Sequence, residues 1–316
     1  MLVFYVVVST LCFLSECYQL RNDSPTCIKM REHVVECSGI DNPDTLRKTY
    51  LKLLKSEYSS KTGKVNKFDI SKSYFSYIPH DLLKGHDNLY IIEIRDTTLI
   101  SLSDTDTAFV GAEKEVWKFE MRHCVLFGDF DWYQLRNMTQ LEEIELTDIG
   151  LKYIDIDANF PHSFNLKVLA LNYNSISYIS DQGFSKFVNL ENLDLMDSNI
   201  SKLKRSMFPN LLVRIDLSSN KISSLPSDLF TNMPNLIVLN LDKNGFQTLD
   251  QTLFAHIWKN LLVFNIADNP LSCDCRIKWI LLHPFPGKRF SGKCVEPNEL
   301  KERYLGSLED LELWCF

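Results

Sequence analysis

Residues 212–225 read LVRIDLSSNKISSL, and this stretch decides the fold. Its residues follow the pattern L-x-x-L-x-L-x-x-N-x-L-x-x-L, whose positions we number from 1 to 14. The same spacing returns at residues 166–179 and 236–249. Apolar and polar residues alternate around positions 4 to 6, which is typical of a half-buried strand. Each copy therefore predicts one short strand followed by a turn at the asparagine.

The motif recurs about every 24 residues, and weaker copies bring the total to nine units. A recurrence of this length predicts stacked turns that bury their apolar faces against one another. The position-9 amide both donates and accepts, so we expect a ladder of bonds to the backbone of neighbouring turns. Another apolar residue, 18 positions after the start of five of the units, is expected to fill the core: Leu83, Phe184, Phe208, Phe230 and Phe254. The units begin at Val65, Leu89, Val116, Leu141, Leu166, Leu190, Leu212, Leu236 and Leu261.

This pattern resembles the leucine-rich repeat family over residues 65–272, about nine repeats. The resemblance implies an α/β solenoid, mostly β and loop, with a curved parallel sheet on its concave face. The regular units are similar to those in the ectodomains of Toll-like receptors, Slit-type guidance proteins and small matrix proteoglycans.

The segment before the repeats is predicted to be an N-terminal cap, residues 18–64. Cys27 and Cys37 bracket a short stretch that is read as a hairpin or strand closed by one disulfide. Apolar residues at helical spacing predict a helix over Asp44–Tyr58, with Asp44 as its N-cap.

The segment after the repeats, residues 273–316, contains four cysteines. One residue separates Cys273 from Cys275, which is closer than the usual zinc knuckle allows. Spacing alone leaves three disulfide pairings open. The segment resembles the cysteine-rich C-terminal cap of extracellular leucine-rich repeat proteins, and that resemblance implies the pairs Cys273–Cys294 and Cys275–Cys315.

The N-terminus predicts the compartment. Leu2–Leu14 is almost entirely apolar, and Ser15 and Cys17 follow as small residues, so residues 1–17 are interpreted as a signal peptide cleaved after Cys17. A buried N-terminal strand is the alternative. The apolar run is too short to span a bilayer, and no apolar segment follows the C-terminal cap. We therefore expect a secreted, extracellular protein without a membrane anchor.

Side chains on the strand face are the candidate binding surface. Position 5 carries Asp69, Glu93, Glu120, Glu145, Ala170, Asp194, Asp216, Asn240 and Asn265 along the units, which predicts an acidic column. Arg95 and Arg122 are expected to pair with Glu93 and Glu120. The alternative is that Asp and Asn are ordinary position-5 residues in this family. We predict a concave ligand surface, favouring a basic protein partner, formed by Trp117, Glu120, Arg122, Glu143, Glu145, Asp148, Tyr173 and Asp194.

No motif for catalysis, for a metal or for a cofactor is found, so the sequence predicts a non-enzymatic protein without cofactors. The net charge of −7 argues against a nucleic-acid partner. Asn-x-Ser/Thr sequences predict glycosylation at Asn22, Asn137 and Asn199. Cys124 stands at position 9, where a buried thiol replaces asparagine, and an intermolecular disulfide is the alternative.

These features predict a secreted leucine-rich repeat protein that binds a protein partner through its concave face. Two alternatives remain open. One is a structural matrix or adhesion component, and the other is the ectodomain of a truncated Toll-like receptor. Fold alone does not choose among them.

Overall fold

A computed structural model describes residues 24–30, 33–57, 64–156, 160, 165–309 and 312–313. The chain forms two compact units, Met1–Gln140 and Leu141–Phe316, which we call the first and second units. The predicted signal peptide lies outside the described residues. No helix among the described residues has the length and apolar character needed to cross a membrane.

In its described residues, the first unit is a sheet with one helix. Strand β1 pairs antiparallel with β2, and parallel pairing then runs from β2 to β3, to β4 and to β6. Two short strands, β5 and β7, pair with each other in the returns. The elements are β1 Thr26–Lys29, β2 Val34–Ser38, α1 Pro43–Glu57, β3 Lys67–Ser71, β4 Ile91–Arg95, β5 Thr98–Leu99, β6 Lys118–Arg122, β7 Val125–Leu126 and the 3₁₀ turn Trp132–Leu135.

The N-terminal cap is a hairpin closed by the Cys27–Cys37 disulfide, as predicted, because the two cysteines are directly opposite in the β1–β2 register. The predicted start of helix α1 was wrong. Asn42, and not Asp44, caps it, since the Asn42 Oδ1 accepts from the Thr45 amide at 2.8 Å. Pro43 occupies the first helical position, where its missing N–H is not needed.

The second unit repeats the same turn six times, and a strand of the C-terminal cap adds a seventh strand to its sheet. Strands β8, β10, β12, β13, β14, β15 and β16 pair in parallel in that order, and β9 pairs with β11 in the returns. The elements are β8 Glu143–Thr147, β9 Tyr153–Ile154, β10 Val168–Ala170, β11 Tyr178–Ile179, β12 Asn192–Asp194, β13 Arg214–Asp216, β14 Val238–Asn240, α2 Gln251–Phe254, β15 Val263–Asn265, α3 Trp279–Leu282 and β16 Arg289–Ser291. The remaining 3₁₀ turns are Arg205–Met207, Cys275–Ile277, Asn298–Leu300 and Leu305–Ser307.

The predicted fold class is confirmed: the chain is a parallel-sheet solenoid with little helix. Positions 4 and 6 of the units are buried, and so is the predicted row behind the strands. In that row the rings of Phe184 and Phe208 lie 6.0 Å apart, and those of Phe230 and Phe254 lie 6.1 Å apart. Leu83 takes the same place in the first unit and is also buried.

The position-9 ladder is also confirmed. The amide nitrogen of Asn174 donates to the carbonyl of Leu146, one turn earlier, at 2.7 Å, and its oxygen accepts from the amides of Ile149 and Leu151. Asn220, Asn244 and Asn269 repeat this arrangement. Cys124 is a buried member of the row, and its thiol donates to the carbonyls of Ile94 and Arg122, which supports the structural interpretation.

Position 8 has a property that the sequence did not reveal. All nine residues there have positive φ, between 45° and 57°, and none of them is glycine. This left-handed conformation turns the chain out of the strand, and non-glycine residues adopt it at a cost. The nine are Lys72, Asp96, His123, Asp148, Tyr173, Asp197, Ser219, Lys243 and Asp268.

The C-terminal cap continues the sheet through β16 and encloses an aromatic cluster. The Trp258 and Trp279 rings meet at 4.6 Å, and their indole nitrogens donate to the carbonyls of His283 and Leu249. The predicted Cys273–Cys294 disulfide is present. Cys275 is disulfide-bonded as well. Its predicted partner, Cys315, lies outside the described residues, so that pairing stays a prediction.

Candidate functional site

We call the side chains at positions 3, 5 and 7 of each unit the open face, because they point away from the buried side chains of positions 4 and 6. We include in it the exposed side chains that flank each strand at positions 2 and 8, such as Trp117 and Tyr173. The predicted ligand residues are divided between the two units. Trp117, Glu120 and Arg122 lie in the first unit. The second unit contains Glu143, Glu145, Asp148, Tyr173 and Asp194. Each unit therefore presents its own candidate surface.

In the first unit the acidic column exists and is longer than predicted. Strand register places Glu36, Asp69, Glu93 and Glu120 side by side on β2, β3, β4 and β6. Glu36 comes from the cap hairpin, which sequence analysis did not include in the column. Adjacent carboxylates at strand spacing, about 4.8 Å, repel one another unless cations lie between them.

Cations neutralise this column, although only one of the two predicted pairs forms. The Arg95 guanidinium bonds both Asp69 oxygens, at 2.9 to 3.2 Å, and Glu36 at 2.7 Å, so its expected pairing with Glu93 was wrong. Arg95 lies two residues after Glu93 on the same face of β4. Its long side chain reaches back to the two preceding strands, β3 and β2. Lys67 pairs with Glu93 instead.

Glu120 is also held by cations of its own strand. Arg122 pairs with it, as predicted, and Lys118 approaches its other oxygen at 3.3 Å. Burial raises the pKa of Asp69, and the Arg95 guanidinium opposes that rise. The Asp69 hydrogen bond in turn raises the pKa of Arg95. The open face of the first unit thus matches four carboxylates with four cations.

In the second unit, four position-5 side chains accept hydrogen bonds from the main chain of their own turn. The Asp194 and Asp216 carboxylates accept from the amides of Met196 and Ser218, at 2.9 and 3.0 Å. The position-5 amide oxygens of Asn240 and Asn265 accept from the residues two places on in the same way. These bonds end each strand at the turn, and Asp and Asn have the side-chain length for them. This supports the interpretation of Asp and Asn as ordinary residues of the repeat at these four positions.

Asp194 is nevertheless in an unusual environment. Burial raises its pKa, the Met196 amide opposes the rise, and Asp216 on the next strand raises it further. Arg214 lies 3.3 Å from Asp216. The register places Glu145, Ala170 and Asp194 in one row, and Glu143 and Glu145 are half-buried. Asp148 follows β8 at the exposed position 8.

Two predicted aromatic contacts are accessible. Trp117 directly precedes β6 and is 39% exposed, and Tyr173 follows β10 and is 50% exposed. The structure also places large apolar side chains on the returns, away from the open face. Phe127 after β7 and Tyr178 in β11 are 68% and 52% exposed. Sequence analysis did not single these out.

Asn137 and Asn199, two of the predicted glycosylation sites, are exposed, whereas Asn22 lies outside the described residues. The neighbouring carboxylates of Asp104 and Asp106 have protein partners: Asp104 contacts His80, and Asp106 contacts Arg136. Within the described ranges, no group of three or more His, Cys, Asp or Glu is arranged to hold a metal ion.

Comparison with known proteins agrees with this geometry. Residues 188–244 match the family model described as leucine rich repeat. This match and the parallel-sheet solenoid together support a leucine-rich repeat family for the chain. Mouse Toll-like receptor 9 is 34% identical over 162 residues, which is 49% of this chain and 15% of the receptor. A zebrafish leucine-rich repeat and fibronectin type III domain-containing protein 1 is 28% identical over 153 residues, 44% of this chain and 26% of the relative.

The chain thus spans 15% and 26% of the length of these two relatives. Solved structures share its fold. A chain of the latrophilin 3, Unc5D and FLRT2 complex aligns with a TM-score of 0.53 at 17% identity, covering 92% of this chain and all of that one. The complex of TLR13 with single-stranded RNA aligns with a TM-score of 0.60 at 20% identity, covering 75% of this chain and 32% of that one.

Proposed function

We propose that this chain is an extracellular binding module that holds a protein partner on the open face of its sheet. The observation that supports this most directly is the exposure of Trp117 and Tyr173, since exposed aromatic side chains are frequent anchors of protein interfaces. The similarity to the structure of a complex between latrophilin 3, Unc5D and FLRT2 is consistent with a protein partner. The net charge of −7 disfavours RNA, the partner in the TLR13 complex.

The electrostatic part of the prediction needs revision. In the first unit Glu120 pairs with Arg122 and Lys118, so we expect it to attract a basic partner weakly. Asp194 in the second unit, with Asp216 beside it, remains the better source of an attractive field. We therefore expect salt to slow association only modestly.

The experiment is affinity capture from extracellular fluid on the immobilised chain, followed by rebinding of each captured protein to variants. Trp117→Ala in the first unit and Tyr173→Gly in the second change the open face. Phe127→Ala and Tyr178→Ala remove exposed aromatics of the returns in the same two units and are the matched controls. We expect a partner to lose at least tenfold in affinity with one open-face variant, and to keep its affinity for the controls. Normal binding by both open-face variants would refute the proposal.

Secretion is proposed with it, through cleavage after Cys17 and glycosylation at Asn137 and Asn199. Expression in animal cells should place the chain in the medium with Tyr18 as its first residue. Enzymatic release of N-glycans in water enriched in oxygen-18 should convert Asn137 and Asn199 to aspartate that contains the heavy oxygen. A chain retained in the cell with Met1 intact would contradict this part alone.

A further inference from the structure

Tyr173 is the largest side chain at position 8. Its φ is 57°, the most positive of the nine. Asp and His, which fill five of the other positions, are enriched in the left-handed conformation, whereas a bulky residue there is an outlier. An outlier of this kind justifies a search for a function that retains it.

The Tyr173 side chain contributes little to the fold. Half of it is exposed, and within the described part of the chain its ring contacts no other aromatic ring and its hydroxyl makes no hydrogen bond. Its main-chain amide donates to the Met196 carbonyl at 3.0 Å, a bond that any residue at this position would make. Aromatic stacking and a side-chain hydrogen bond therefore do not explain a tyrosine here.

Two aspartates hold the equivalent position in the neighbouring turns. Asp148 holds position 8 of the preceding turn, and Asp197 holds it in the following turn. The three turns are stacked in register, because the amides of Asp148, Tyr173 and Asp197 each donate to a position-7 carbonyl one turn later, at 3.2, 3.0 and 3.0 Å. Both aspartates are exposed. One strand spacing, about 4.8 Å, separates each from the tyrosine.

We infer that Tyr173, Asp148 and Asp197 form a subsite for an arginine side chain of a protein partner. A guanidinium stacks flat on an aromatic ring, and its edge donates several hydrogen bonds to carboxylates on either side. Lysine offers a compact, strongly hydrated charge and fits this arrangement less well. The inference deepens the proposed function and rests on it, since it names the group that the open face of the second unit recognises.

The test uses labelled octa-arginine, octa-lysine and octa-citrulline peptides with the full chain, at two salt concentrations. We expect affinity to fall in that order. Tyr173→Gly should weaken octa-arginine binding about fivefold or more, and Tyr173→Phe should keep most of it, because the ring face and not the hydroxyl makes the contact. Asp197→Asn should weaken binding about threefold and flatten its salt dependence.

The matched control is Ser219→Gly, a neutral change at the same position and the same backbone conformation, with φ 55°. It should bind octa-arginine like the wild type. Binding of octa-arginine to Tyr173→Gly within twofold of wild type, or equal binding of the arginine and lysine peptides, would overturn the subsite. A captured partner that depends on Tyr173 but still binds after its arginines are chemically blocked would overturn the arginine assignment and leave the proposed function standing.

Discussion

Asn220 offers the sharpest test of what holds the turns together. Its amide nitrogen donates to the carbonyls of Leu195, Leu217 and Ser218, at 2.8, 3.0 and 3.1 Å. Its oxygen accepts from the amides of Ser198 and Ile200, at 3.2 and 2.9 Å. The side chain is 8% exposed, so water does not readily replace these bonds.

The substitution Asn220→Ala leaves the two N–H groups without their acceptor. A buried donor without a partner costs about 1–3 kcal/mol. At about 1.5 kcal/mol each, the two amides alone predict a loss of about 3 kcal/mol. With an m-value of about 3 kcal/mol per molar urea, the unfolding midpoint should fall by about 1 M.

Urea unfolding followed by circular dichroism measures this shift. Asn298→Ala is the control, because Asn298 is exposed in the C-terminal cap, and its loss should cost less than about 0.5 kcal/mol. Asn220→Ser should fall between the two, since Ser198 already occupies position 9 and bonds the carbonyls of Leu171 and Met196. Equal midpoints for Asn220→Ala and Asn298→Ala would refute the ladder as a source of stability.

Three further predictions concern the rest of the chain. A Cβ added at Gly287 would lie 2.5 and 2.7 Å from two backbone oxygens, so Gly287→Ala should lower stability by about 2 kcal/mol in the same urea assay, and an unchanged midpoint would contradict this. Burial lowers the pKa of His86, which accepts from the Tyr50 hydroxyl when neutral; the unfolded chain therefore binds the proton more tightly, and stability should fall as the pH drops below about 6.5. His86→Asn should reduce that loss between pH 7.5 and 5.5, and an identical loss in wild type and variant would refute it. Non-reducing peptide mapping should find Cys275 joined to Cys315, and any other partner would be a correction.

The fold was predictable because its decisive signal is local and repeated. The spacing around Asn220 indicates which residues are buried. Because the same spacing repeats at one period, the apolar faces of successive turns can be buried by stacking the turns on one another. The cap helix shows the limit of this reasoning. Asp44 and Asn42 are both good N-caps, and the choice between them depends on Pro43, which is more suited to the first helical turn than to the cap.

The candidate site was less predictable, because long side chains reach beyond their own strand. The sequence places Arg95 two residues from Glu93, which suggests a pair. The structure directs its guanidinium to Asp69 and Glu36, which are 26 and 59 residues away in sequence. The acidic residues at position 5, counted from the sequence alone, therefore overstate the negative charge that the first unit presents on its open face. The left-handed conformation of Tyr173 could not be predicted from the sequence either, since no glycine stands at that position of the turn.

The asparagine ladder of the second unit has a direction. Asn174, Asn220, Asn244 and Asn269 each complete the hydrogen bonding of the turn before them, through the carbonyls of Leu146, Leu195, Leu217 and Leu241. The hydrogen bonding of such a turn is therefore complete only when the next turn is present. Shortening the array from its C-terminal side leaves a carbonyl and two amides of the last remaining turn without their asparagine, whereas shortening it from the other side leaves the first remaining asparagine without the turn that it serves. Synthesis also runs from the N-terminus to the C-terminus, so each of these turns completes its hydrogen bonds only after the next turn has been made and has folded onto it.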